Sequence, residues 1–232
     1  MGSHRDSRVD ELRAHTRKVF RHGGGTRPDV RLVEFDGKPA VLKDYAHSDP
    51  WFRRLVGPLS ARREARALRQ LEGAPGVPRL LATLGKDALL LEYIPGTSAR
   101  ELKRGAFRPE FFERFYRLIA DIHRRGVAHC DLRSTGNILL GPGHKPYIVD
   151  FVAHVRRGRR WNPLTRWMYE KFCEADRVAV ARLKRTFAPE LLTPDEEAAL
   201  ARDRKTPLER GARMVGKSIR NISRWLLTHR QK

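Results

Sequence analysis

The sequence is poor in cysteine and contains no long apolar run. Cys130 and Cys173 are its only cysteines, and no histidines lie near them at the spacing of a zinc site. Two cysteines do not build a disulfide framework, so a reducing compartment, the cytoplasm, is expected. No apolar run approaches the ~20 residues of a membrane span, and residues 1–6 lack the apolar core of a secretory signal. We therefore expect a protein that is neither transmembrane nor secreted.

Acidic residues are also scarce. The 232 residues include 48 Lys and Arg against 27 Asp and Glu, which gives a formal net charge of +21 and a pI of about 11.0. A field of this sign attracts polyanions such as nucleic acid, acidic lipid surfaces, phosphorylated glycans or ATP, although a solvated arginine-rich surface would have the same composition. Because no zinc spacing, helix-turn-helix pattern or RNA-stacking motif accompanies the charge, no specific nucleic-acid partner is expected.

The stretch from Val127 to Phe151 is typical of a β-hairpin with polar groups at one end. Two short apolar runs, 137–140 and 146–149, flank a Gly-Pro-Gly turn. Asp131 and Asn137 precede the first strand and Asp150 follows the second, so pairing the strands brings the three side chains to the same end. Two carboxylates and an amide placed there could hold a divalent metal and orient a hydroxyl, since hard cations prefer oxygen ligands.

These residues resemble the catalytic hairpin of the protein-kinase-like superfamily. The resemblance is carried by His129-Cys130-Asp131-Leu132, Asn137-Ile138-Leu139 and Ile148-Val149-Asp150-Phe151. It is strongest toward the atypical bacterial branch, the lipopolysaccharide core (Kdo) kinases and RIO-like kinases. It implies that Asp131 is the catalytic base toward the acceptor hydroxyl, and that Asn137 and Asp150 are magnesium ligands. His129 would be structural, and Cys130 a filler position rather than a nucleophile.

Two features depart from the family pattern. Asn137 lies six positions after Asp131, one more than is usual. Val152 follows Asp150-Phe151 where the family has glycine, which predicts a stiffer metal loop. Both departures leave open a non-catalytic nucleotide-binding protein on the same fold.

The N-terminal part is expected to hold the phosphates of the nucleotide. Apolar residues alternate with polar ones over residues 30–35 and 40–43, on both sides of an Asp-Gly turn, which predicts a hairpin. The resemblance places Lys43 as the strand lysine that contacts the α- and β-phosphates, and Gly23, Gly24 and Gly25 where the phosphate-covering loop belongs. A plain flexible turn is the alternative for the three glycines.

A helix is predicted over residues 60–71, with Ser60 as its N-cap. The resemblance implies that Glu64 pairs with Lys43, and an ordinary intrahelical pair with neighbouring arginines is the alternative. The aromatic and basic residues 51–58 are interpreted as a connector, either buried or in contact with an acidic membrane surface or phosphoglycan.

Two further strands, 77–83 and 88–94, complete the predicted small lobe. Glu92, Tyr93 and Ile94 match the family's hinge, where backbone groups would bind the adenine edge. A strongly amphipathic helix follows over residues 107–125.

The region after Phe151 favours an anionic acceptor, and an arginine-rich loop that is merely solvated is the alternative. Basic residues and two tryptophans crowd positions 156–171, whereas the next clear helix is predicted only over residues 174–186. Asp176 on that helix loosely matches the aspartate that braces the family's catalytic loop. Residues 211–228 are predicted to form a helix with an apolar and a basic face, packed on the fold or lying on an anionic membrane.

The resemblance implies an α+β, bilobal protein-kinase-like fold with a small antiparallel-sheet N-lobe, a mainly helical C-lobe and a truncated activation segment. We expect an N-terminal extension (1–18), an N-lobe (19–95), a C-lobe (96–188) and a basic helical tail (189–232). The implied activity is ATP- and Mg²⁺-dependent transfer of phosphate to a hydroxyl. The favoured acceptor is a lipopolysaccharide-core sugar or similar glycolipid, with peripheral contact at the inner face of the cytoplasmic membrane. A RIO-like serine/threonine protein kinase, a small-metabolite kinase and a pseudokinase remain the alternatives.

Overall fold

The structure is a computed structural model that describes residues 3–158 and 161–205. The helices are α1 (Ser3–Ala14), α2 (Pro50–Gln70), α3 (Pro109–Arg124), α4 (Pro163–Phe187) and α5 (Pro194–Lys205). The strands are β1 (Thr16–Arg21), β2 (Asp29–Phe35), β3 (Lys38–Asp44), β4 (Leu80–Leu84), β5 (Ala88–Glu92), β6 (Thr97–Ser98), β7 (Val127–Ala128), β8 (Ile138–Gly141), β9 (Lys145–Ile148) and β10 (Val155–Arg156). The described chain divides into two compact units, residues 3–62 with 81–91 and residues 63–80 with 92–202.

The first unit is built on an antiparallel sheet. Among the described residues this sheet has five strands in the order β1-β2-β3-β5-β4. The predicted Asp36-Gly37 hairpin is confirmed, because Phe35 pairs with Lys38 and both turn residues have positive φ, 49° and 70°. Buried apolar residues from α1 and the strands form its core: Leu12, Val33, Ala40, Leu42, Leu84, Ala88 and Leu90.

The second unit is organised around α3. Its apolar side chains recur on one helical face and are all buried: Phe111, Phe115, Leu118, Ile119 and Ile122. Proline at the first turn starts this helix, and Gly126, with φ of 82°, follows its C-cap. The predicted hairpin is also confirmed, since β8 and β9 pair with Ile138 opposite Ile148.

Helix α2 begins at Pro50, so the prediction of a connector over residues 51–58 and of an N-cap at Ser60 was wrong. Proline normally breaks a helix because it lacks an N–H and clashes with the preceding turn, yet Pro58 lies inside α2. Here the extra turns are anchored by packing. Phe52 is buried with its ring centroid 6.2 Å from that of Tyr45, and Gly57 lies so close to Tyr45 that a Cβ would meet the tyrosine Cβ at 3.0 Å.

Helix α4 begins at Pro163, well before the predicted start at Glu174. The Asn162 side chain accepts a hydrogen bond from the Thr165 N–H at 3.2 Å, and Pro163 occupies the first helical position. The basic and aromatic residues from 163 onward are therefore helical rather than part of a loop, and only a short segment links Asp150 to α4.

The predicted α+β class is confirmed, with an antiparallel sheet in the N-terminal part and mainly helices in the C-terminal part. Element ends shift by a few residues: β4 starts at Leu80 rather than at 77, and β5 ends at Glu92 rather than at 94. The predicted tail helix over 211–228 lies outside the described residues. Along residues 3–158 and 161–205, no helix has both the length and the apolar character needed to cross a membrane.

Candidate active site

The loop between β7 and β8 brings Asp131 and Asn137 into contact. The Asn137 amide nitrogen donates to both the Asp131 carboxylate Oδ2 and the Asp131 main-chain oxygen, each at 3.0 Å. This loop ends in a short 3₁₀ turn over Thr135–Asn137, closed by a hydrogen bond from the Asn137 N–H to the Ser134 oxygen at 2.9 Å. The longer spacing therefore does not separate the two side chains.

Asp150 lies at the same end of the hairpin. The Val149 N–H donates to the Asn137 main-chain oxygen at 2.9 Å, so the residue after Val149 leaves the sheet beside the start of β8. Asp150 adopts a left-handed conformation, with φ 69° and ψ 66°, which is uncommon outside glycine and found often at functional sites. The sequence predicted this convergence of Asp131, Asn137 and Asp150 from the strand pairing.

Asn137 and Asp150 have the donor chemistry of a magnesium site. The Asn137 amide nitrogen is used by Asp131, which turns the amide oxygen of the same group away from that carboxylate. In the described part of the chain, no three His, Cys, Asp or Glu side chains form a metal-binding group. Magnesium in nucleotide-dependent enzymes is commonly held by one or two side chains together with substrate phosphates, so this pair fits the ion.

Asp176, on α4, is hydrogen-bonded to the loop between β7 and β8 that carries Asp131. Its carboxylate is 1% exposed and accepts the His129 N–H at 2.7 Å and the Cys130 N–H at 2.9 Å. It also bonds His123 Nε2 of α3 at 3.0 Å. The brace that the sequence suggested only loosely is therefore a three-way contact between α3, the loop and α4.

The Asp176 carboxylate interacts with His123 and changes its pKa. Burial lowers the pKa of His123, but hydrogen bonds and charge attraction from Asp176 and Cys173 outweigh it and raise the pKa to about 9. His123 is therefore protonated at neutral pH and forms a buried ion pair with Asp176. Nothing in the sequence pattern distinguishes this histidine, because it is one of several polar residues at the end of an amphipathic helix.

His129 connects the loop to the strand that leads to Asp150. Its Nδ1 accepts the Asp131 N–H at 3.2 Å, so Nε2 carries the proton and donates to the Val149 oxygen at 3.1 Å. Its ring meets Phe151 edge-on at a centroid distance of 4.7 Å. This geometry agrees with the structural role that the resemblance implied.

Cys130 does not have the environment of a nucleophile. Burial, followed by the nearby Asp176 charge, raises the pKa of its thiol, so the sulfur stays protonated at neutral pH. Its backbone is left-handed, with φ of 69°, and its N–H is held by Asp176.

Arg63 of α2 anchors the segment that follows Asp150. Its Nη2 donates to the His154 oxygen at 2.7 Å and its Nε to the Val152 oxygen at 3.4 Å. His154 is buried, and burial lowers its pKa to about 4, so it is neutral and its Nδ1 donates to the Phe151 oxygen at 2.7 Å. Sequence reasoning missed Arg63 because it is one of several arginines on the same helix and its partners are about 90 positions away.

In the first unit, the three glycines form an ordered turn between β1 and β2. Gly24 and Arg27 exchange backbone hydrogen bonds of 3.2 and 3.1 Å, and Gly25 has φ of 57°. The Asp29 carboxylate, 3% exposed, accepts the Gly23 N–H at 2.6 Å. The carboxylate also pairs with Arg31 and His47, and these contacts hold its pKa below the usual value despite the opposing effect of burial. Nothing in the sequence had singled out Asp29.

The remaining predicted residues lie in both units. Lys43 is 4% exposed on β3 opposite Val30 in the first unit, and Glu64 is 1% exposed on α2 in the second, so their pairing stays a prediction.

In the hinge, the Glu92 N–H donates to the Arg79 oxygen, and the Ile94 oxygen accepts the Gly96 N–H, both at 2.9 Å. Their contact with adenine, and that of Tyr93, also stays a prediction.

The chain belongs to the phosphotransferase enzyme family (APH), whose family model matches residues 18–215. It is 32% identical over 114 residues to the EKC/KEOPS complex subunit BUD32 of Encephalitozoon cuniculi, a match that spans 47% of this chain and 55% of that protein. It is 35% identical over 83 residues to the 3-deoxy-D-manno-octulosonic acid kinase of Xylella fastidiosa, across 35% of this chain and 31% of that protein. The chain thus aligns with about half and about a third of these two relatives.

Solved structures share the fold at low identity. The Rio2 kinase of Chaetomium thermophilum superposes with a TM-score of 0.58 at 17% identity, covering 100% of this chain and 80% of that one. Its ADP/Mg²⁺-phosphoaspartate complex gives a TM-score of 0.59 at 18% identity, with 94% and 75% covered. The predicted membership of the protein-kinase-like superfamily is confirmed, with a Kdo kinase among the relatives and the fold of a RIO kinase among the similar structures.

Proposed function

We propose that this protein is an ATP-dependent kinase that transfers the γ-phosphoryl group to an acceptor hydroxyl. The observation that carries the proposal is the contact of Asn137 with Asp131 at the hairpin end that also bears Asp150. On the fold of a phosphotransferase family, a carboxylate in this place is suited to a hydroxyl and the other two groups to a phosphate-bound metal.

Asp131 is assigned the catalytic base. It orients the acceptor hydroxyl and takes its proton as the oxygen bonds to the γ-phosphorus. The bond from that phosphorus to the β–γ bridging oxygen breaks, and ADP leaves with the electron pair. Magnesium bound at Asn137 and Asp150 would supply neutralisation of the triphosphate charge. The hydrogen bond from the Asn137 amide keeps the Asp131 carboxylate oriented toward the acceptor hydroxyl during this step.

The remaining predicted residues are assigned to the nucleotide. Backbone N–H groups of the Gly23–Gly25 turn would bind phosphate oxygens, and Lys43 would contact the α- and β-phosphates with Glu64 as its partner. Because the Glu92 N–H is already bonded to Arg79, Glu92 would bind the adenine amino group through its carbonyl oxygen, next to Tyr93 and Ile94.

A lipid-linked sugar is the acceptor class that we favour. Large apolar side chains are exposed around the start of α4: Trp161 just before the helix and Leu164 and Trp167 within it are respectively 75%, 64% and 48% exposed. Exposed tryptophans beside basic residues are typical of proteins that touch a membrane interface, and the net charge of +21 suits an anionic surface. The similarity to a 3-deoxy-D-manno-octulosonic acid kinase supports the same class.

A protein acceptor in the RIO manner is the second candidate. It is favoured by the similarity to BUD32 and by the Rio2 fold. A non-catalytic nucleotide-binding protein is the third candidate, motivated by Val152 in place of glycine.

The test is phosphate transfer from labelled ATP to core glycolipid and to a casein-like protein. Asp131→Ala should abolish transfer while leaving ATP binding nearly intact, because the residue acts on the acceptor. Asp150→Ala should weaken nucleotide binding with magnesium but not without it. Asp195→Ala, an exposed aspartate of α5, is the control and should behave as wild type. Transfer that persists in Asp131→Ala would disprove the assignment, and wild-type binding without transfer would favour the third candidate.

A further inference from the structure

We propose that Arg100 forms an anion subsite that binds a carboxylate or phosphate of the acceptor next to the catalytic base. The inference rests on the proposed function and narrows its acceptor to hydroxyl compounds that also carry an anionic group. No feature of the sequence had distinguished this arginine from the many others.

Arg100 is fixed against the lengthened part of the catalytic loop. It lies in a short 3₁₀ turn over Ala99–Glu101, where the Ser98 hydroxyl accepts its N–H at 3.3 Å. The same hydroxyl donates to the Thr135 oxygen at 3.5 Å, and the Arg100 Nη2 donates to the Ser134 hydroxyl at 3.4 Å. The turn is thereby tied to the segment that contains the additional residue of the loop.

Gly136 makes this approach possible. A Cβ at this position would lie 2.8 Å from the Arg100 Nη2 and 3.1 Å from its Cζ, closer than side chains approach one another. The guanidinium therefore rests on the face of the loop that the missing side chain leaves open. Gly136 immediately precedes Asn137, whose amide bonds Asp131, and adjacent Cα atoms are about 3.8 Å apart.

The guanidinium has no counter-charge within the described part of the chain. Among the described residues, its side chain bonds only the neutral Ser134 hydroxyl and forms no ion pair with a carboxylate. By contrast, Arg125 and Arg166 each pair with a carboxylate on their own helix. An exposed guanidinium offers five donors in a planar fork that matches carboxylate and phosphate oxygens. An anion held there would place a hydroxyl of the same small molecule or sugar unit toward Asp131.

The test compares Arg100→Ala with wild type on core glycolipid that is intact, carboxyl-reduced or dephosphorylated. With the intact glycolipid the variant should raise the acceptor KM about 10- to 100-fold, as expected for a lost charge-assisted hydrogen bond. The KM for ATP should not change. The chemical treatment that removes the bound group should raise the wild-type KM equally and abolish the difference from the variant, which identifies the group as carboxylate or phosphate.

Two further variants separate the guanidinium from its surroundings. Arg104→Ala is the matched control, because Arg104 is exposed, close in sequence, and bonded only to the Thr186 oxygen at 3.1 Å. It should leave the acceptor KM unchanged. Gly136→Ala keeps the arginine but moves its guanidinium, the flexible end of the side chain, so it should raise the acceptor KM less than Arg100→Ala does.

Calorimetry with the delipidated core oligosaccharide gives an answer that does not need turnover. Weaker binding in Arg100→Ala than in wild type supports the subsite even if no acceptor is phosphorylated, which would be a failure of the proposed function alone. Equal binding, or no binding to wild type, overturns the subsite. An unchanged acceptor KM in an active Arg100→Ala enzyme, or a raised KM for ATP instead, also overturns it.

Discussion

Asp176→Asn removes the charge from the carboxylate that joins α3, the catalytic loop and α4. In the wild type this carboxylate accepts two loop N–H groups and bonds His123. An asparagine keeps the size of the side chain but offers a single acceptor oxygen, so one buried N–H and the charged histidine lose their partner. The variant therefore tests whether the brace stabilises the fold through this ion pair.

The expected loss of stability follows from the raised pKa of His123. Its pKa is raised from 6.5 to about 9, which corresponds to about 3 kcal/mol because one pKa unit is worth about 1.4 kcal/mol. A raised pKa stabilises the folded state fully below pH 6.5, and the contribution is lost as the pH rises through 9. The unsatisfied loop N–H adds a cost of about 1–3 kcal/mol that does not depend on pH.

Urea unfolding followed by tryptophan fluorescence, at about pH 6 and about pH 9.5, measures both the pH-dependent contribution of His123 and the pH-independent cost of the unsatisfied N–H. The destabilisation by Asp176→Asn should be larger at the lower pH by about 3 kcal/mol. Asp121→Asn is the control, because Asp121 is mostly buried on α3 and pairs with the arginines Arg124 and Arg125 rather than with a histidine. A destabilisation by Asp176→Asn that is the same at both pH values would refute the ion pair.

Two more predictions concern the elements that hold the candidate site. Asp29→Asn should destabilise the protein by about 1–3 kcal/mol at pH 7 and weaken ATP binding, because an uncharged amide has only one acceptor oxygen in place of the two that bind the Gly23 N–H and Arg31. Since the folded pKa of Asp29 lies below 3.8, this stability difference in urea unfolding should persist to that pH and disappear only as the pH falls through the folded pKa. Arg63→Ala should weaken magnesium-dependent nucleotide binding about 3- to 10-fold, as expected for about 1 kcal/mol of lost hydrogen bonding. Arg66→Ala, on an exposed position of the same helix, should not, and equal losses in both variants would contradict the anchoring role of Arg63.

Short-range patterns account for the parts of the fold that could be predicted. Alternation around Asp36-Gly37 and the periodicity of α3 both depend on residues within one element, so sequence spacing was enough. The starts of α2 and α4 could not be found in this way. The turns of α2 before Ser60 are stabilised by the packing of Phe52 on Tyr45, and tertiary contacts of that kind leave no local pattern.

In the candidate site, too, the residues that belong to one local element could be predicted, whereas those that act over long sequence distances could not. Asp131, Asn137 and Asp150 lie on one hairpin, so their convergence followed from the pairing of two neighbouring strands. Arg63 and Arg100 act through carbonyl and hydroxyl groups that are tens of residues away, and arginine is too common in this chain for its presence to indicate a role.

The position of Asp176 has a consequence during synthesis. It follows His129 by 47 positions, and at ~5–20 residues per second a ribosome needs about 2–9 s to add that many residues. Until α4 has been made, the N–H groups of His129 and Cys130 lack their acceptor, so the nascent chain carries all the hairpin residues but not their final arrangement. Fragments that end before α4 should therefore be inactive even though they contain every residue assigned to the chemistry.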